Sequence, residues 1–411
     1  MPEKRILIFD DDEAVAQTIQ WIAESLGYQA EFTTCAADFF ACHDRSCPDV
    51  ITLDLAMPGL DGVEVIRRLA ERKCRARIVI SSGMGTRILE AAQRSAAEHG
   101  LNIAGVLPKP ISREAFSFLL GKDDDPAPSP SAQEPCAGCA APVAAATTVS
   151  PGVFRPAPSG LEAAIEHREF VMAYQPKIHC KSGAIAGFEA LVRWQHPGYG
   201  LIMPDSFIPL AEQTGLIAPL TTQIVEQSLA WFSAAFPQSG LMLSLNLSAC
   251  SLGDLQFADR LSALCRRFQL PTERIILEVT ESSAMVDPVL SLDLLTRLRV
   301  KGFHVSIDDF GTGFSSMVQL VRLPFSEIKI DKSFVLHASQ SQESRTVIKS
   351  IVELGHSLGL TVAAEGVETP EAHGYINTIG CDLAQGYLIA RPMPPVAAQS
   401  WAARHLSPPT P

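Results

Sequence analysis

Asp308-Asp309-Phe310-Gly311-Thr312-Gly313 follows a run, His304-Val305-Ser306-Ile307, in which polar and apolar residues alternate. Alternation of that kind marks a strand. The strand gives way to two adjacent carboxylates and then to Gly-x-Gly, whose backbone reaches angles closed to other residues. Two carboxylates about 4 Å apart repel by roughly 4 kcal/mol at an effective dielectric near 20. Such a pair is either an acidic turn or a divalent-cation site, and the surrounding chain has to decide between them.

Outward from this stretch, strand candidates recur at Val171-Ile178, Ile185-Trp194, Leu243-Leu247, Ile275-Thr280, His304-Asp309, Glu327-Asp331, Thr361-Glu365 and Leu383-Leu388. Helical signals fall between them. Asp287-Pro288 opens a helix that stops at Gly302, and Thr369-Pro370-Glu371 opens one that stops at Gly380. Ser159-Gly160-Leu161-Glu162 reads as a capping box opening a helix through Phe170. Eight strands alternating with helices predict a (β/α)8 barrel, with active groups where strands end. Only Cys180-Lys181-Ser182-Gly183-Ala184 joins the first two strands. That is too short for a parallel crossover, so one strand is expected to run antiparallel to its neighbour.

The residues ending those strands are polar and of a restricted kind: Glu189, Asn246, Glu278, Glu281, Asp308, Asp309, Glu365, Glu368 and Gln385. Arg193 shares a face with Glu189, and Glu327, Lys329 and Asp331 share a face of the sixth strand. If the barrel closes, Glu189, Glu278, Asp308, Asp309 and Glu365 meet at one mouth and cannot all ionise without cations. All-oxygen ligation with one Asn suits Mg²⁺ or Mn²⁺ rather than zinc. Two ions bridged by Asp308 would form a two-metal site for in-line attack on a phosphodiester. Lys329, in the same ring, would orient or deprotonate the attacking water.

Ahead of this domain, residues 1–121 alternate strand and helix. Ile6-Phe9 precedes Asp10-Asp11-Asp12-Glu13, Val50-Leu53 ends in Asp54, Ile78-Ile80 in Ser81-Ser82-Gly83, and Val106-Leu107 in Pro108-Lys109-Pro110. A helical pattern covers Val63-Arg72. This order predicts a doubly wound parallel sheet whose carboxyl edge gathers Asp10, Asp11, Asp54, Ser82 and Lys109. Residues 122–158 are rich in Pro, Ala and Ser and read as a linker. Cys136-Ala137-Gly138-Cys139 within it has no second metal-ligand pair beside it. The barrel domain is assigned to 159–405 and a disordered tail to 406–411.

A net charge of −12 argues against a DNA-binding face but leaves room for an anionic ligand held through metal ions. No apolar run reaches membrane-spanning length, so no membrane insertion is expected. The N-terminus runs directly into a strand without a signal-peptide layout, and the ten cysteines are scattered like reduced thiols; both point to the cytoplasm.

Asp54-Leu55-Ala56-Met57-Pro58-Gly59-Leu60-Asp61-Gly62, with the early acidic cluster and Lys109-Pro110, resembles the receiver domain of response regulators. The resemblance implies a five-stranded, flavodoxin-like parallel sheet and phosphorylation of Asp54 by a sensor histidine kinase or phosphotransfer protein. It also implies one Mg²⁺ held by Asp10, Asp11 and Asp54, with Ser82 and Lys109 contacting the phosphoryl group. Val106 departs from the family, which often has an aromatic switch residue there. Glu189-Ala190-Leu191-Val192-Arg193, with Asn246, Glu278, Asp308-Asp309, Lys329-Ile330-Asp331, Glu365-Gly366-Val367-Glu368 and Gln385-Gly386-Tyr387, resembles the EAL domain of bacterial cyclic-di-GMP phosphodiesterases.

That second resemblance implies a modified TIM barrel with one antiparallel strand and hydrolysis of cyclic di-GMP to linear pGpG. Glu189, Asn246, Glu278, Asp308, Asp309 and Glu365 would hold two Mg²⁺ or Mn²⁺ ions, with Lys329 assisting the water. Gln175, Arg193, Asp331 and Gln385 would lie against substrate. Glu281 and Glu368 would support the loop Phe310-Ser316, in which Phe314 stands where the family commonly has Tyr. The expected assembly is a homodimer or higher homo-oligomer. The alternative readings are a cyclic-di-GMP receptor or adaptor that binds without cleaving, and a scaffold with an idle barrel.

Overall fold

The computed structural model describes residues 4–120, 156–311 and 317–406. Cys136, Cys139 and Phe314 lie outside them. In the N-terminal domain β1 (Arg5–Phe9), β2 (Gln29–Thr33), β3 (Val50–Asp54), β4 (Arg77–Ser82) and β5 (Asn102–Pro108) form a parallel sheet in the order β2-β1-β3-β4-β5. The central strand β3 is buried throughout, as helices on both faces require. Its strand order reverses beside β1, which places Asp10 and Asp54 at the crevice of an open α/β sheet.

The C-terminal domain is a closed barrel. Its strands are β6 (Phe170–His179), β7 (Ile185–His196), β9 (Met242–Leu247), β10 (Ile275–Thr280), β11 (His304–Phe310), β12 (Glu327–Ile330), β13 (Thr361–Ala364) and β14 (Leu383–Ala384), with β8 (Gly200–Ile202) as an extra edge strand on β7. Strand β6 runs antiparallel to both β7 and β14 and closes the ring. The short Cys180–Ala184 connection permits no other arrangement.

Two local expectations are corrected. The first helix of the barrel domain spans Pro158–Glu166, not as far as Phe170, and Ser159 does not cap it. Pro158 occupies the first turn, where its missing N–H costs nothing, and Arg168 turns into the left-handed region at φ 56°, so Phe170 begins β6. The last strand stops at Ala384 rather than Leu388. From Gly386 the chain crosses Val367, so close that a Cβ on Gly386 would lie 2.1 Å from the Val367 carbonyl oxygen.

The two domains are packed together. Helix Pro288–Val300 follows β10 and precedes β11, and it is buried nearly all round, including Ser291, Asp293, Thr296 and Arg297. One side packs on the barrel and the other on receiver helices Gly62–Glu71 and Thr86–Glu98. Its buried charges are paired across the interface. Arg297 bonds Asp61 at 3.0 Å and Asp259 at 2.7 Å, and Lys301 bonds the same two carboxylates at 3.1 and 2.8 Å. Asp293 accepts from Ser95 Oγ at 2.5 Å and contacts His99 Nε2 at 2.6 Å.

The hydrogen bond to Asp293 raises the His99 pKa against the opposing effect of burial; Arg67 and Glu98 also face it, with opposite signs. A raised folded value means that the stabilisation is complete below the unfolded value, near 6.5, and is lost as pH rises through the folded one. Urea unfolding of the full chain should therefore lose more stability between pH 6 and pH 8.5 than it does in His99→Gln. Parallel pH profiles would refute the pairing.

Candidate active site

Neighbouring barrel strands set the ring by register. Gln175 on β6 lies opposite Glu189 on β7, and Asn246 on β9 opposite Glu278 on β10. Glu189 accepts hydrogen bonds from Asn246 Nδ2 at 2.9 Å and Gln385 Nε2 at 2.6 Å. Gln385 also donates to Gln175 Oε1 at 3.1 Å, while its own Oε1 is buried with no protein donor among the described residues.

Lys329, 1% exposed, is the hub. Its ammonium lies 2.6 Å from Glu278, 3.1 Å from Asp308 and 3.8 Å from Glu189, and it contacts Glu365. Asp308 and Asp309 would face opposite sides of a regular strand. The β11–β12 register shifts between Ile307 and Phe310, and Asp309 takes φ 55°, a conformation rare for a residue with a Cβ. That bulge lets Asp308, Asp309 and Glu365 each bring a carboxylate oxygen within 4.8 Å of the others.

A second buried lysine, Lys177 on β6, joins the ring although little in its local sequence marks it as a site residue. Its Nζ lies 2.5 Å from Glu278, 2.8 Å from Ser244 Oγ and 3.6 Å from Glu327. Glu327 accepts from Ser306 and belongs to the barrel interior below the mouth. The available signal was period two: Lys177 lies two residues beyond Gln175 on the same strand.

Charge in the ring is unbalanced. Among the described residues Glu189, Glu278, Asp308, Asp309, Glu327 and Glu365 face two ammoniums, Lys177 and Lys329. Burial raises Glu278, but the two lysines outweigh it and hold this carboxyl well below the usual range. Glu365 shares Lys329 with the others; burial, with Asp308 and Glu189, pushes it up to about 8. Burial and the neighbouring Asp308 and Asp331 push Asp309 to about 6. Burial and Glu278 likewise raise Glu189. Lys329 is raised despite its burial, because carboxylates surround it. The ring is short of positive charge, and its all-oxygen donors suit hard divalent cations.

The remaining residues are placed as follows. Asp331 caps helix Lys332–His337 through the Ser333 N–H at 2.9 Å and lies beside Asp309. Arg193 donates to the Val192 carbonyl, and burial lowers its pKa. A cleft of about 910 Å³ opens beside it, lined by Tyr387, Arg391, Trp231 and Met203, with the Arg391 guanidinium 4.0 Å from the Tyr387 ring centre. Glu281 opens helix Glu281–Ala284, and Glu368 is exposed. The loop they were expected to support includes 312–316, outside the described residues.

In the N-terminal domain Lys109 Nζ bridges Asp10 at 2.8 Å and Asp54 at 3.1 Å. Asp10, Asp11 and Asp54 can each direct an oxygen to a common point. Burial raises the Asp10 pKa; it opposes the rise of Lys109, which the two carboxylates impose. Ser82 Oγ accepts from the Met84 N–H at 3.2 Å.

Residues 159–392 match the EAL domain family and residues 6–117 the response regulator receiver domain. The chain belongs to the EAL family. It is 34% identical over 349 residues to the cyclic di-GMP phosphodiesterase RocR of Pseudomonas aeruginosa, covering 84% of each protein. It is 40% identical over 238 residues to the bifunctional diguanylate cyclase/cyclic di-GMP phosphodiesterase MucR of the same organism. That match takes in 57% of this chain and 34% of MucR, so the chain spans about a third of that longer relative. Among solved structures, the PaMucR phosphodiesterase in complex with c-di-GMP aligns with TM-score 0.56 and 39% identity, covering 58% of this chain and 98% of the other. No described helix of this EAL protein is long and apolar enough to cross a membrane.

Proposed function

We propose that this chain hydrolyses cyclic di-GMP to linear pGpG at the acidic ring, with two Mg²⁺ or Mn²⁺ ions as cofactors, and that phosphorylation of Asp54 modulates the rate. The observation that carries the reading is the convergence of Glu189, Glu278, Asp308 and Glu365 on the single ammonium of Lys329. Together with Asn246 and Asp309 these residues would hold the cations, as their oxygen chemistry allows. Bound there, divalent cations supply phosphoryl polarisation and a water of lowered pKa. Gln385 and Gln175 orient Glu189. Lys329, whose Nζ touches Glu278, Asp308 and Glu365, would orient an attacking water and balance charge. Arg193 stands at a cleft whose volume suits a ligand of nucleotide size and whose wall includes aromatic rings.

The test is incubation of the full chain with cyclic di-GMP and Mg²⁺, with pGpG as the expected product. Binding without pGpG would make the protein a receptor. In the receiver, Asp54 is the nucleophile toward a phosphoryl donor, Asp10 and Asp11 would share its Mg²⁺, and Lys109 would pair with the phosphoryl oxygens. Acetyl phosphate is expected to change the wild-type rate and to leave Asp54→Asn unchanged. Equal responses in the two proteins would remove phosphorylation control from the proposal.

A further inference from the structure

Two loops flank the acceptor Asp54, and each ends in a charged side chain that contacts the barrel, Asp61 buried and Arg87 half-buried. The first follows β3. Asp61 caps helix Gly62–Glu71, bonds Arg297 and Lys301, and sits beside Gly62, where a Cβ would lie 2.5 Å from the Asp54 carbonyl oxygen. The second follows β4. Ser82 accepts from Met84, Gly85 caps helix Thr86–Glu98, and Arg87 occupies its first turn.

Arg87 reaches out of the receiver. Its guanidinium donates to the Leu320 carbonyl at 3.0 Å, the Leu323 carbonyl at 3.4 Å and the Leu358 carbonyl at 2.7 Å. Leu320 and Leu323 mark the C-terminal end of helix Met317–Arg322; Leu358 caps helix Gln342–Ser357. Both helix ends present carbonyls with partial negative charge, and a planar fork is the side chain able to satisfy two at once. No carboxylate pairs with Arg87 among the described residues, and burial lowers its pKa. Among the described residues its hydrogen bonds all go to backbone carbonyls, with Glu90 the nearby opposite charge. Each held segment leads to a ring residue: Leu323 is followed through β12 by Lys329, and Leu358 through β13 by Glu365. Arg94 adds a contact to the Val321 carbonyl at 3.4 Å, and Glu98 pairs with Arg322.

We propose that Arg87 is a positioning residue of the phosphodiesterase site, holding from the receiver the two barrel segments that lead into Lys329 and Glu365, and that the state of the Asp54–Ser82 pocket reaches the ring through it. The proposal rests on the functional reading above, and its test separates the two. Full-length wild type, Arg87→Ala, Arg87→Lys and Ala97→Ser (an exposed control on the same helix) are compared by hydrogen-exchange mass spectrometry, before and after acetyl phosphate. Cyclic-di-GMP turnover is measured in parallel.

Arg87→Ala is expected to speed exchange selectively in peptides covering 317–323 and 358–366. It should lower kcat about 10- to 100-fold with little change in KM, and abolish the response of both readouts to acetyl phosphate. Arg87→Lys should fall between it and wild type, and carries the comparison if the alanine variant does not fold. Exchange and kcat equal to wild type would overturn the proposal. So would faster exchange spread evenly through both domains, the mark of a merely structural contact. A wild type that makes no pGpG would defeat the functional reading alone, because the exchange pattern still decides what Arg87 holds.

Discussion

Replacing Glu189 by alanine is expected to lower Mg²⁺-dependent turnover of cyclic di-GMP by about a thousandfold or more while leaving the barrel folded. Glu189 is 6% exposed and stands between Asn246, Gln385 and Lys329, so its loss removes a proposed cation ligand, leaves the Asn246 amide without its acceptor and leaves Gln385 with Gln175 alone. Stabilisation of charge in the transition state by a bound cation is worth several kcal/mol, and about 4 kcal/mol is a factor near a thousand in rate. The fold survives because the truncation also relieves the crowding of carboxylates around Lys329. Rates at saturating Mg²⁺, with circular dichroism as the check on folding, decide it; a fully active variant would remove the ring from the chemistry.

Replacing Lys177 by leucine acts on stability. The ammonium is 3% exposed and touches Glu278 and Ser244, with Glu327 at 3.6 Å. Leucine fills much of the space but leaves Glu327 without its cation and Glu278 with Lys329 alone. Removing one partner of a buried pair costs about 3–5 kcal/mol. Trp194, Trp231 and Trp401 lie in the barrel, so their fluorescence reports its unfolding in urea. A midpoint unmoved from wild type would show that Lys177 contributes nothing to holding Glu278 and Glu327.

Much of the architecture was readable because it rests on local chemistry. Asp287-Pro288 and Thr369-Pro370 start helices where their side chains cap N–H groups, and Asp61 does the same before Gly62. Ser159 misled because it too is a good cap; Pro158 takes the first turn one residue earlier. Lys177 was passed over because a lysine in a strand usually faces water, and only closure of the barrel turns this one inward. The helix Pro288–Val300 that packs between the domains carries a signal of its cover. Pro288-Val289-Leu290-Ser291-Leu292-Asp293-Leu294-Leu295 spreads its apolar residues round the helix instead of along one stripe, which on a barrel exterior means that something covers it.

Sequence by itself determined the alternation of strands and helices, the antiparallel start of the barrel, and the types of side chain at each strand end. These follow from period, turn length and capping, all of which act over a few residues. Tertiary structure alone decided that Asp308 and Asp309 turn toward one another, that Lys177 joins Lys329 inside the ring, and that Asp61 and Arg87 reach from one domain into the other. Each depends on groups far apart in the chain meeting where water is excluded. There a charge must find its partner, and no local pattern records which one it finds.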